Sequence, residues 1–234
     1  MRVRHLQRQS SEELYTMTKI YLIRHANAEE RQDTQRARLT EHGIKQAEAL
    51  AKRLTYYDIH VFYSSSYFRS RHTAQIIAEL HKEKIVKETK ELIEVDFRVS
   101  KRLSLGSFKE LKNIYTKPEV EQIQNLLTAQ KRALKLLNYL FRAHPDQNIA
   151  VVTHGNIIKA IILGIFQLKL SGFQRFVISE ASLSVVSGTS IDNARIITLN
   201  DTAHLKKIVV IVAEPKVTKR AQGQRAQGQT STID

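Results

Sequence analysis

Hydrophobic residues occur along the chain either in short runs or at helical spacing. The two patterns alternate, and together they predict strands separated by helices. Short apolar runs predict strands at Lys19–Arg24, Ile59–Tyr63, Asn148–Thr153, Leu183–Val186 and Arg195–Leu199. Apolar residues at helical spacing predict helices that begin at Thr40, Arg69, Glu119 and Gly155. Strands that alternate with helices in this way indicate an α/β fold with a mostly parallel sheet and helices on both faces.

The remaining segments divide the chain into a domain and two flanking pieces. Residues 85–95 are predicted to be extended, and the irregular residues 97–118 together with the long helix after them predict a helical cap insertion at about 97–147. Ile208–Val212 predicts an added edge strand. We therefore expect an N-terminal extension over 1–18, a domain over 19–213, and a basic, disordered tail over 214–234.

Composition excludes several classes of protein. The 234 residues include no cysteine, which excludes a disulfide scaffold, a thiol nucleophile and a zinc site built on thiolates. No apolar run approaches the roughly 20 residues of a membrane helix, and the first 15 residues have no apolar core of a secretory signal. We therefore expect a cytoplasmic protein that does not bind a membrane.

The net charge of +14 includes +9 within residues 19–205, so the predicted domain is itself basic. A domain of this charge attracts nucleic acid, anionic membranes or anionic small molecules. No basic stripe is interleaved with aromatic residues, which argues against nucleic acid as the partner.

Two histidines directly follow predicted strands. His25 comes after the first strand and His154 after Asn148–Thr153, and each is followed by a small residue. Ligands of such sheets bind beyond the carboxyl ends of the strands, so both histidines are expected at the binding edge. Arg69 begins a helix that leaves the same edge, whereas we expect Arg71 to face away on the surface.

Histidines combined with arginines favour phosphate chemistry over metal binding. A zinc site would need a further converging ligand, and Arg24 beside His25 would repel a cation. A guanidinium group matches phosphate oxygens with paired hydrogen bonds, and a neutral imidazole can attack phosphorus to form a covalent intermediate. The residues therefore predict phosphoryl transfer that needs neither a metal nor a cofactor.

With these residues in place, the chain resembles histidine phosphatases of the phosphoglycerate mutase-like superfamily. The resemblance is carried by residues 22–29 (LIRHANAE), 39–54, 62–78, 151–162 and 181–205. It implies that His25 is the phosphorylated nucleophile and that Arg24, Arg69 and His154 form the phosphate pocket, with His154 also taking part in catalysis. Glu94, in Leu92-Ile93-Glu94, would be the proton donor, with Glu91 and Asp96 as neighbouring alternatives.

The chain departs from the family pattern at several positions, and these bear on which activity it has. Ala26 and Ala28 replace a common glycine and threonine, and residues 96–106 are basic and lack tryptophan. Gly155 is typical of the mutase and small-phosphatase branch, and a missing Trp-Asn pair after His25 favours hydrolysis over mutase transfer.

We therefore predict a metal-independent phosphatase acting on a small phosphorylated metabolite. Three alternatives stay open: mutase-type transfer, a protein phosphohistidine phosphatase, and a weakly active protein-binding scaffold. A homodimer also stays open.

Overall fold

The computed structural model describes residues 17–30, 34–82, 84–97 and 115–206, which contain a six-stranded mixed sheet. Its strands are β1 (Thr18–Arg24), β2 (Ile59–Ser65), β3 (Val86–Thr89), β4 (Asn148–Thr153), β5 (Leu183–Gly188) and β6 (Arg195–Asp201), in the order β3-β2-β4-β1-β5-β6. The first four strands run parallel, β5 is antiparallel to β1, and β6 is antiparallel to β5. The predicted mostly parallel sheet is confirmed.

Helices cover both faces of this sheet, as the alternating pattern predicts. The helices are α1 (Glu41–Leu54), α2 (Phe68–Ala78), α3 (Lys117–Ala143) and α4 (Gly155–Ile165). Because strand side chains alternate between faces, Tyr21 and Ile23 pack with α1 and α2, whereas Ile20 and Leu22 pack with α3 and α4. The sheet therefore lies between two helical layers.

A capping box marks the start of helix α3, and a proline follows its end. Thr116 and Glu119 form a reciprocal capping box, and Pro118 occupies the first turn, where a missing N–H is tolerated. The helix ends at Ala143, two residues before Pro145. The predicted helix start at Glu119 is thus correct to within two residues.

The chain between β3 and Glu94 differs from the extended segment predicted for residues 85–95. Only Val86–Thr89 forms a strand, and Lys90–Leu92 make a short 3-10 turn. The turn brings Leu92 fully into the core between the sheet and α3. The Thr153 hydroxyl donates to the Leu92 carbonyl at 2.8 Å, so the turned backbone remains hydrogen-bonded. Burial of one leucine therefore outweighs the local preference of this segment for a strand.

Several predicted segments lie outside the described residues. These are most of the N-terminal extension, the centre of the cap insertion, the strand Ile208–Val212 and the basic tail, and the domain boundaries remain predictions. In the described ranges, no helix combines the length and apolarity that crossing a membrane demands.

Gly43 in the first turn of α1 lies against the backbone that follows His25. A Cβ atom at this position would overlap the carbonyl oxygen of Asn27. Thr40 precedes the helix, accepts a hydrogen bond from the Gly43 N–H at 3.0 Å, and donates from its hydroxyl to the Asn27 side chain at 2.6 Å. Helix α1 can therefore pack this close to the loop only because residue 43 lacks a side chain.

We expect Gly43→Ala to lower the free energy of unfolding by about 1–3 kcal/mol, because backbone must move to remove the overlap. Urea denaturation measures this loss. Gly155→Ala is the matched control: it also lies in the first turn of a helix, but its new Cβ would stay 3.5 Å from the Arg24 side chain. The control should change stability by less than about 1 kcal/mol. Equal losses in the two variants would contradict this explanation.

Candidate active site

The pairing of β1 with β4 places the two predicted histidines next to each other. Arg24 and Thr153 are the last paired residues of the two parallel strands, so His25 and His154 both follow at the same edge. The His25 N–H donates to the Thr153 carbonyl at 2.9 Å. The two imidazole rings lie 5.1 Å apart between centroids, nearly edge to face.

Arg69 joins these histidines through its guanidinium group. It is buried at the second residue of α2, where its Nε donates to His25 Nε2 at 2.9 Å and its Nη2 donates to His154 Nδ1 at 3.1 Å. Its Nη1 donates to the Thr34 carbonyl. One cation thus holds both rings and the chain segment opposite them.

These contacts determine which nitrogen of each histidine carries the proton. Arginine can only donate, so His25 Nε2 and His154 Nδ1 must both carry lone pairs. The proton of His25 is then on Nδ1, which donates to the Ala26 carbonyl at 2.8 Å. The proton of His154 is on Nε2, which donates to the Ser65 hydroxyl at 2.9 Å. His25 therefore presents an unprotonated Nε2 to the site.

Burial keeps both imidazoles neutral. Desolvation, reinforced by the charge of Arg69, lowers the pKa of His25 to about 3. Desolvation and the nearby His25 and Arg69 also hold the pKa of His154 well below its ordinary value. A neutral imidazole with an unprotonated Nε2 is the form that can act as a nucleophile.

Arg24 approaches the site from the end of β1 and is held by the chain before β5. Its Nη1 donates to the Ile178 carbonyl at 2.6 Å, and its Nη2 lies 3.6 Å from Glu180 Oε1. Asn27 fixes the same carboxylate by donating to Glu180 Oε2 at 2.9 Å. Arg24 is therefore held beside the site by a backbone carbonyl and by a carboxylate that Asn27 also contacts.

Glu94 also lines the site, in an environment that raises the pKa of its carboxyl group to near neutral pH. Desolvation raises the pKa of Glu94 to about 7, even though the Val95 N–H and the charges of Arg69 and Arg24 favour ionisation. Its Oε1 accepts from the Val95 N–H at 3.0 Å. A carboxyl group that titrates near pH 7 can give up a proton and take it back during one reaction cycle.

These side chains surround one open cavity of about 310 Å³. Its lining includes the neutral imidazole of His25, the guanidinium groups of Arg24 and Arg69, and the carboxyl groups of Glu29, Glu30, Glu94 and Glu180. The two guanidinium groups beside a neutral imidazole suit a phosphoryl group, whose charge lies on its peripheral oxygens. Among the residues described, no cluster of three or more histidine, aspartate or glutamate side chains could hold a metal ion.

The structure brings together four of the five predicted site residues around this cavity. The fifth, His154, is fully buried and contacts the cavity through Arg69. Of the alternatives to Glu94, both Glu91 and Asp96 are exposed, and neither is among the described residues that line the cavity. Arg71 pairs with Glu88 at 3.3 Å on the surface, on the side predicted for it.

The sequence reasoning missed Glu180, which lines the cavity and contacts Arg24. Its position follows from the direction of β5, which the apolar pattern of the sequence does not reveal. Because β5 runs antiparallel to β1, residues just before Leu183 lie beside the end of β1 and hence beside His25. The Ala181 N–H donates to the His25 carbonyl at 3.2 Å, which confirms this proximity. Ala181 also has a left-handed φ of 51°, a strained conformation next to the site.

Comparison with known proteins relates the chain to phosphatases. The sequence profile of the histidine phosphatase superfamily (branch 1) matches residues 20–202. Phosphoserine phosphatase 1 of Hydrogenobacter thermophilus is 29% identical over 207 residues, covering 83% of this chain and 97% of that protein. The mitochondrial serine/threonine-protein phosphatase Pgam5 of Drosophila erecta is 28% identical over 178 residues, covering 71% of this chain. The match spans 57% of the length of Pgam5.

Solved structures share the fold. A phosphoserine phosphatase of Entamoeba histolytica, determined with 3-phosphoglyceric acid, superposes with a TM-score of 0.64 at 24% identity, covering 81% of this chain and 100% of that one. A mycobacterial glucosyl-3-phosphoglycerate phosphatase gives 0.61 at 18% identity, covering 80% of this chain and 100% of that one.

We expect Arg69→Ala to weaken binding of orthovanadate by about tenfold or more, because hydrogen bonds to charged groups contribute roughly 1.5–3 kcal/mol each. Isothermal titration calorimetry measures the affinity. Arg71→Ala removes the same charge two residues along the helix, from the surface, and should change affinity by less than about threefold. Equal weakening in both variants would show that net charge, rather than the position of Arg69, governs binding.

Glu94 should make the stability of the protein fall as pH rises. Its pKa is raised from 4.5 to about 7, so the folded protein keeps a proton that the unfolded chain loses, and stability decreases between these values. Glu94→Gln removes this effect and should be more stable than wild type at pH 8, by about 1–3 kcal/mol, but similar at pH 4.5.

Urea unfolding at the two pH values tests this expectation. Glu91→Gln, an exposed neighbour, is the control and should show no such pH-dependent gain. A Glu94→Gln variant equally destabilised at both pH values would contradict the raised pKa.

Proposed function

The chain belongs to the histidine phosphatase superfamily, branch 1, and is a phosphoric monoester hydrolase; we propose that it works through a phosphohistidine on His25 without a metal ion. The observation that carries this proposal is the state of His25, which is neutral and carries its lone pair on Nε2, in a cavity lined by two arginines and a carboxyl group that titrates near pH 7.

The first step is attack by His25 Nε2 on phosphorus. The Nε2–P bond forms while the P–O bond to the leaving group breaks, and the leaving oxygen takes its proton from Glu94. In the second step Glu94 takes a proton from water, the water oxygen attacks phosphorus, and the N–P bond breaks to release inorganic phosphate. Glu94 ends protonated and His25 neutral, so the cycle closes without a net change in the enzyme.

Arg69 has two tasks in this proposal. Its Nε hydrogen bond to His25 Nε2 holds the imidazole in the reactive tautomer before substrate arrives. A phosphoryl group that reaches Nε2 must replace this hydrogen bond, and the same Nε–H is then available to a phosphoryl oxygen. Arg24 supplies a second guanidinium, and the two cations offset the charge of the transferring group.

His154 keeps Arg69 in place in the geometry described. Its Nδ1 accepts from Arg69 while its Nε2 donates to Ser65, so both ring nitrogens are occupied. Direct donation from His154 to phosphate, which the family resemblance implies, stays a prediction and would need Nε2 to leave the serine.

We propose a small phosphorylated metabolite as substrate. The cavity of about 310 Å³ has the size of a small-molecule site. The named relatives include phosphoserine phosphatases and a glucosyl-3-phosphoglycerate phosphatase, so O-phosphoserine is a reasonable first compound to test. Pgam5 is named a serine/threonine-protein phosphatase, and the chain matches 57% of its length, so a protein substrate is the second candidate. Cytoplasmic location and a homodimer stay predictions.

The experiment is release of inorganic phosphate from O-phosphoserine and from p-nitrophenyl phosphate in excess EDTA. We expect wild-type turnover to persist in the chelator and His25→Ala to lose on the order of 10³-fold or more in kcat, as removal of a nucleophile does. Alkaline quenching followed by mass spectrometry should detect phosphate on His25, because phosphohistidine survives in base.

His42→Ala is the control, since His42 lies on α1 and is not among the residues lining the cavity in the part of the chain described. Activity that disappears in EDTA and returns with a divalent cation would refute metal independence. Activity retained in His25→Ala would refute the proposed nucleophile.

A further inference from the structure

Helix α3 extends one guanidinium group to the segment that carries Glu94. Arg132, in the middle of the helix, donates from Nη1 to the Lys90 carbonyl at 3.0 Å and from Nη2 to the Ile93 carbonyl. These carbonyls lie on the two sides of Leu92, and that of Ile93 belongs to the peptide that precedes Glu94. Because a guanidinium is planar and rigid, two such bonds fix the distance between the carbonyls.

The other carbonyls around Glu94 are held by neighbouring elements. Thr153 at the end of β4 donates to the Leu92 carbonyl at 2.8 Å, and the Asn156 side chain in α4 donates to the Val95 carbonyl at 3.0 Å. The backbone on both sides of Glu94 is thereby attached to three different elements. Of the three side chains that hold this backbone (Arg132, Thr153 and Asn156), Arg132 is the one from the long helix α3.

Arg132 is also close enough to Glu94 to act on it electrostatically. Both residues line a second cavity of about 480 Å³, on the polar face of α3. Burial lowers the pKa of Arg132, while the carboxylates of Glu91 and Glu94 oppose that shift. The cations that interact with Glu94 among the described residues therefore include Arg24 from β1, Arg69 from α2, Arg132 from α3 and Lys159 from α4.

We propose that Arg132 is a positioning residue, which holds the Lys90–Ile93 backbone so that the Glu94 carboxyl group reaches the leaving oxygen. This inference rests on the proposed role of Glu94 as proton donor. It has a consequence that a merely structural residue would lack: the effect of replacing Arg132 should depend on the leaving group. A nitrophenolate departs without a proton, whereas an alkoxide needs one from Glu94.

The experiment compares kcat/KM for p-nitrophenyl phosphate and for glycerol 2-phosphate. This ratio depends only on steps up to the first phosphoryl transfer, so slow hydrolysis of a phosphoenzyme cannot mask the effect of the leaving group on the rate. The variants are Arg132→Met, Arg132→Lys and, as a positive reference, Glu94→Gln. Lys131→Ala removes a charge from an exposed neighbouring position of the same helix and is the matched control.

We expect Arg132→Met to lose about 10–100-fold on glycerol 2-phosphate, a part of the 10²–10⁴ that a general acid contributes, and less than about threefold on p-nitrophenyl phosphate. Arg132→Lys keeps the charge, but one ammonium cannot span both carbonyls, so it should lose nearly as much. If circular dichroism shows that Arg132→Met does not fold, Arg132→Lys alone is sufficient for the test. Lys131→Ala should match wild type on both substrates.

Equal losses on the two substrates, or wild-type rates in Arg132→Lys, would overturn the inference. If Glu94→Gln shows the leaving-group dependence and the Arg132 variants do not, the proposed function stands and only the role of Arg132 fails. If Glu94→Gln itself shows no such dependence, the proposed role of Glu94 fails, and the inference about Arg132 fails with it.

Discussion

The site depends on one buried cation, the guanidinium group of Arg69. A permanent charge in a buried position requires acceptors for its donors, and Arg69 finds them in two imidazole nitrogens and one backbone carbonyl. This requirement settles the chemistry of its neighbours. Both histidines must be neutral where they contact Arg69, and each must carry its proton on the opposite nitrogen. The neutral form of His25 with an unprotonated Nε2 is therefore a consequence of satisfying Arg69.

The arrangement around Arg69 follows from strand register. In a parallel pair, residues in register reach the same edge of the sheet, and Arg24 pairs with Thr153 at the end of β1 and β4. The next residues, His25 and His154, therefore lie side by side as a direct result of this register. The neighbouring strand β2 ends at Ser65, and α2 begins three residues later, which places Arg69 beside both rings. Three separate chain segments thus converge because each ends a neighbouring strand.

This dependence on strand ends explains how much the sequence could predict. His25, His154 and Arg69 were identified because apolar strands are visible as sequence patterns and their ends can be counted. The tautomers and depressed pKa values could not be predicted, because they arise from burial and from hydrogen bonds between residues 44 and 85 positions apart. Glu180 escaped notice because its position depends on β5 running antiparallel, and apolar alternation looks the same in either direction. The 3-10 turn before Glu94 was missed because it depends on the burial of Leu92 against distant elements.

Glu94 shows why the site needs support from outside the sheet. Two arginines near a carboxyl group would normally keep it ionised, and an ionised carboxylate could not protonate a leaving oxygen. Desolvation outweighs both charges and raises the pKa of Glu94 to about 7. Such a balance holds only while the carboxyl group keeps its partly buried position, because greater contact with water would return its pKa towards the ordinary value. The carbonyls of Lys90, Leu92, Ile93 and Val95, each bound by a side chain from another element, resist that movement. The pKa of Glu94 therefore depends on the hydrogen bonds that hold the backbone around it. Through Arg132, these bonds connect helix α3 to the residues at the edge of the sheet.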